Sequence, residues 1–73
     1  MKVYITIISD KAMCSSNISL RGKEETINRN IADYIEQEIK KELRIGRVPQ
    51  TVKVSIEDKN RIINKWTYRP TIR

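Results

Sequence analysis

Carboxylates, one thiol and many cations are the reactive side chains of this chain, because it contains no histidine. That absence removes the commonest general base, the commonest metal ligand and every Ser–His or Cys–His arrangement. Glu36 and Glu38 stand two apart in a helical run, so they do not share a face and cannot act as an acid–base pair from there. Cys14 sits in "KAMCSSN" beside a single lysine and no other activating group. It is expected to be an inert or half-buried thiol, and a lone cysteine fits a reducing, intracellular home. Gly22 and Gly46 are too far apart to build a phosphate-cradling loop. These residue types argue against an enzyme, a metal site, a cofactor and a small-molecule substrate.

The cations are left. Lys and Arg number 15 against 9 Asp and Glu, a net charge of +6. Residues 1–46 carry eight basic and seven acidic side chains, net +1, whereas residues 47–73 carry seven and two, net +5. A charge so displaced is an argument about partners. It points to an anionic one, either nucleic acid or an acidic protein surface. Zinc-finger spacing, an aromatic-rich RNA-binding strand and a GXXG clamp are all missing, so nucleic-acid binding through these cations would be directed at phosphates.

Three kinds of element must position them. "KVYITIIS", residues 2–9, is β-branched and aromatic, with Val3, Ile5 and Ile7 on one face and Tyr4, Thr6 and Ile8 on the other, as suits a central strand. "DKAMCSS" reads as a loop, and residues 17–21 as a short second strand. Ile27, Ile31, Tyr34, Ile35, Ile39 and Leu43 recur in steps of three and four and predict a helix over 23–45. Glu24 and Glu25 suit its positive end, and Lys40, Lys41 and Arg44 its negative end. Glu25–Arg29 and Glu36–Lys40 are spaced as ion pairs. Gly46 offers a left-handed cap and Pro49 blocks continuation. Beyond it, "TVKVSIE" (51–57) and "RIINKWTY" (61–68) predict a hairpin around Asp58, Lys59 and Asn60.

The hairpin register fixes which side chains face out. Turning Ile62, Asn64, Trp66 and Tyr68 toward the helix buries one Asn, whereas the opposite parity buries three basic residues. A three-residue loop then pairs Ile56 with Ile62, Val54 with Asn64 and Val52 with Trp66, making Trp66 mainly a core residue. On the outer face Glu57 would oppose Arg61 and Lys53 would oppose Lys65. The candidate binding stripe is Lys53, Arg61, Lys65 and Arg69, flanked by Arg47 and Arg73. Tyr4, Ile8 and Ile63 are the outer apolar residues, candidates for a homodimer or partner contact.

The fold class expected is α+β: one domain over 1–73, with one amphipathic helix packed on a small, mainly antiparallel sheet of three to four strands, in the order β(β)αββ. No run is long and apolar enough for a membrane span and no leader pattern precedes the first strand, so a cytoplasmic protein is expected. The element order resembles that of small β-grasp modules, a likeness that carries no motif and implies no function. A short, His-free, Ile- and Lys-rich chain is also similar to small proteins of phages and mobile elements. Many of those act by occupying a surface, including inhibitors of bacterial defence nucleases. Three functions follow in order: phosphate-directed nucleic-acid binding through the basic sheet face, inhibition by binding an acidic protein or nucleoprotein surface, and a structural homodimer.

Overall fold

The computed structural model describes residues 1–71, the side chain of residue 24 excepted. Its elements run β1 (Lys2–Ser9), β2 (Met13–Ser19), α1 (Glu24–Arg44), β3 (Pro49–Asp58) and β4 (Arg61–Tyr68). The fold is α+β: the strands form one antiparallel sheet in the order β2-β1-β3-β4, with the helix across one face.

The two-faced apolar pattern of β1 places it in the interior of the sheet, between β2 and β3. Val3, Ile5 and Ile7 oppose Ile56, Val54 and Val52 respectively, and all six are buried. Ile27, Ile31 and Ile35 of α1 close over them, with Leu20 at one end. The buried hydrophobic residues of this core are all aliphatic, with Tyr34 and Tyr68 packed against its margin.

The second strand is longer and earlier than its sequence suggests. Met13–Ser16, expected as loop, pair with β1 as an edge strand. One of its edges faces water and its serines need no core partner, so the hydrophobic alternation that marks a strand is absent. Cys14 is consequently exposed rather than half-buried.

The helix ends in a Schellman motif. Gly46, at φ +83°, donates its N–H to Leu43 O at 3.1 Å, and Arg47 N–H reaches Glu42 O at 2.9 Å. The side chains of that second pair also meet, as Arg47 Nε lies 2.6 Å from Glu42 Oε2. That N–H is not directed at the carboxylate; Arg47 instead donates from Nη2 to Glu42 Oε1 at 3.4 Å, so the contact joins charge attraction to one long hydrogen bond. Glu42 is only 4% exposed and also accepts from Ser9 Oγ at 3.3 Å. Leu43, expected in the buried stripe, is instead 39% exposed. Of the spaced ion pairs, Glu36–Lys40 closes at 3.2 Å, and Lys41 pairs with Glu38 at 3.3 Å, whereas Glu25 and Arg29 stay apart.

Candidate binding surface

The hairpin turn decides the surface. Lys59 and Asn60 both have positive φ, at 51° and 64°, the conformation of a two-residue type I′ turn. Asp58 therefore opposes Arg61 and Glu57 opposes Ile62. The ladder then shifts between Ile56 and Glu57, and Ile56 opposes Asn64, Val54 opposes Trp66 and Val52 opposes Tyr68. Ile63 is the extra residue of a β-bulge. The expected three-residue loop is thus replaced by a tight turn plus a bulge.

The bulge restores the expected parity from Asn64 onward and reverses it before. Asn64, Trp66 and Tyr68 lie on the helix side. Ile62, expected inward, opposes the outer residue Glu57 and is 62% exposed. Ile63, expected on the outer face, lines a cleft with Ile27 and Ile56 instead. Arg61 leaves the outer stripe, because its partner Asp58 has the parity of the core residues Val54 and Ile56. The predicted opposition of Lys53 and Lys65 does not form: Lys53 faces Thr67 and Lys65 faces Ser55, which sets the two lysines on a diagonal. Nor does Glu57 oppose Arg61. Arg47 is held by Glu42 and is not free for a partner. Arg73 lies outside the described residues.

What remains on the outer face is a grid read across the ladders. One row is Asn17, Tyr4, Ser55 and Lys65, and the next is Ser15, Thr6, Lys53 and Thr67. These two rows hold no carboxylate. Thr6 Oγ1 and Ser15 Oγ are 3.1 Å apart and share a hydrogen bond. Lys53, Ser55, Lys65 and Thr67 line one shallow depression, and Arg69 lies just beyond the end of β4. Lys2 and Glu57 oppose each other in a flanking row. Ile8 opposes Met13 and Thr51 at the other end, half-buried, while Tyr4 is 36% exposed at the centre. No described element covers this face.

The helix side has its own opening. Tyr34 fastens α1 toward β2, donating its hydroxyl to Ser16 Oγ at 2.7 Å. The helix packs on β1 and β3 and leaves β4 uncovered. A groove of about 500 Å³ results, walled by Ile35, Ile39 and Leu43 on one side and Trp66, Tyr68 and Pro70 on the other. Trp66 is therefore neither plug nor outward platform. Its ring lies on the core side of the sheet yet is 36% exposed along the groove. Burial pushes the Tyr68 phenol above its ordinary pKa of 10.0.

Sequence reasoning missed the groove because its apolar lining, Ile35, Ile39, Leu43, Trp66 and Tyr68, fits a core pattern. Only the sheet order, which displaces β4 from the helix, opens it. Among the described residues no three His, Cys, Asp or Glu side chains come together as a metal site, and no helix is long and apolar enough to cross a membrane. No family model, no curated protein and no solved structure matches the chain.

Proposed function

We propose that the protein is a binding module without chemistry of its own, and that the open outer face of its sheet contacts the phosphates of a nucleic acid. One observation carries this reading. The two central rows of that face bring Lys53 and Lys65 together with the hydroxyls of Tyr4, Thr6, Ser15, Ser55 and Thr67, and with no carboxylate. Lysines and hydroxyls are the usual partners of phosphate oxygens. Tyr4 at the centre is one aromatic surface on which a base can stack, which favours a single strand over a duplex. With so few aromatics the affinity is electrostatic and poor in sequence preference.

The test is a titration of single-stranded DNA, RNA and duplex at several salt concentrations. If Lys53, Lys65 and Arg69 each meet a phosphate of a single strand, log affinity falls with log salt at a slope of about −2. The double replacement Lys53→Glu and Lys65→Glu leaves the fold intact, since both side chains are exposed, and weakens binding by about tenfold or more. Equal binding by parent and double variant would show that this face is merely solvated.

A further inference from the structure

We propose a second binding surface, which shares only Lys65 and Arg69 with the outer face: the free edge of β4 together with the groove beside it takes up an extended polypeptide segment that alternates apolar and acidic residues. Such a segment adds a fifth strand to the sheet.

The edge is long and accessible. β4 is the last strand of the sheet, and every residue from Arg61 to Thr67 is exposed. Its ladder to β3 is unbroken from Asn64 to Tyr68, so that stretch is regular enough to template another strand. The bulge at Ile63 marks one end of it and Pro70 lies beyond the other.

The two faces beside this edge ask for different side chains. On the helix side lies the groove with Trp66, Tyr68 and Pro70 on its floor and Ile39 and Leu43 on its wall. Glu36 and Lys40 at its lip neutralise each other at 3.2 Å, so the opening carries no net charge and suits an apolar side chain. On the outer side Lys65 is exposed within β4 and Arg69 follows two residues after Thr67 on the same parity. No acid occurs between Arg61 and Thr71. An added strand sends alternate side chains to opposite faces, one set into the groove and the other beside these cations. Main-chain hydrogen bonds to β4 supply the affinity, and the apolar–acidic alternation supplies the selection.

The same charges decide against a second copy of this chain as the occupant. Pairing β4 with its own copy places Arg61, Lys65 and Arg69 of both chains along one seam with no acid between them. Edge lysines commonly serve to prevent such pairing.

Trp66 is the sole tryptophan and lies in the groove, so its emission reports occupancy directly. The probe is a synthetic peptide of about eight alternating Glu and Val residues, long enough to match a typical strand. Expected is a saturable shift of Trp66 emission to shorter wavelength. A Lys–Val peptide of the same length produces none. Methylation of alternate backbone nitrogens in the Glu–Val peptide, Leu43→Glu in the groove wall, or Lys65→Glu on the outer side each weakens binding about tenfold or more. Leu43 is 39% exposed, so its replacement leaves a folded protein, as circular dichroism checks. Leu43→Glu also leaves nucleic-acid binding by the outer face unchanged, which separates the two surfaces. An unshifted emission overturns the proposal, as does equal binding of the methylated peptide. A concentration-dependent blue shift of the protein alone, accompanied by dimerisation in sedimentation, would assign the edge to a second copy instead.

Discussion

Replacing Trp66 by alanine removes the largest side chain of the protein, yet it is expected to cost less than replacing Ile5. The indole is 36% exposed. A tryptophan presents about 250 Å², so about 160 Å² is buried, and at about 25 cal/mol per Å² that gives a ceiling of about 4 kcal/mol. The alanine keeps part of this. The groove is open to solvent, so no closed cavity is left and the cavity contribution is absent. About 2–3 kcal/mol remains. Ile5, by contrast, is 1% exposed at the centre of the sheet beneath α1. Its truncation leaves an enclosed void, and about 4 kcal/mol is expected. Urea denaturation followed by far-ultraviolet circular dichroism measures both, since the Trp66 variant has no tryptophan to follow. An Ile5→Ala protein that does not fold at all also meets the expected order. Greater destabilisation by Trp66→Ala than by Ile5→Ala would refute the reasoning, because it would mean that the ring is enclosed.

Two further outcomes are expected. Arg47→Met leaves the Glu42 carboxylate buried with only Ser9 Oγ beside it, and a loss of about 1–3 kcal/mol should appear in denaturation; adding Glu42→Gln should recover part of it, and strict additivity of the two changes would show that the pair is not coupled. Tyr68 is harder to ionise when folded than its ordinary value of 10.0 allows; the folded state then holds the proton longer, so this contribution is full below pH 10 and is lost as pH rises through the raised value, which ultraviolet titration of the parent against Tyr68→Phe measures.

The helix and the interior strand are legible in the sequence because burial there follows one period without interruption. Ile27, Ile31 and Ile35 mark the helix, as Val3, Ile5 and Ile7 mark β1. Where a local device breaks the period, the pattern misleads. Parity assigns Asn64, Trp66 and Tyr68 to the correct face, but the Ile63 bulge exchanges the roles of Ile62 and Ile63, and no spacing rule announces it. β2 escapes notice because an edge strand of serines is held by backbone pairing. Glu42 is a different kind of miss. It stands three residues after Ile39 and seven after Ile35, squarely in the helical stripe, but a carboxylate there gives no sign in the sequence of being buried. Its burial depends on Arg47, brought within reach by the left-handed Gly46. The outer face was legible in kind, as a basic surface, but its membership was not. Arg61 and Arg47 leave it, and Tyr4 with its neighbouring hydroxyls becomes its centre.

The order β2-β1-β3-β4 also sets a schedule for synthesis. Lys2 is paired with Glu57 and Ile7 with Val52, so the two strands at the middle of the sheet are separated in the chain by β2 and α1. During translation β1, β2 and α1 are made before any of β3 exists. At about 5–20 residues per second the gap between the end of β1 and the start of β3 lasts a few seconds. Until β3 is available, "VYITII" has a bare edge where β3 will later bind, with high β-propensity and no charge to protect it. Pairing with β3 therefore does two things at once: it adds Val52, Val54 and Ile56 to the core and covers the edge of β1.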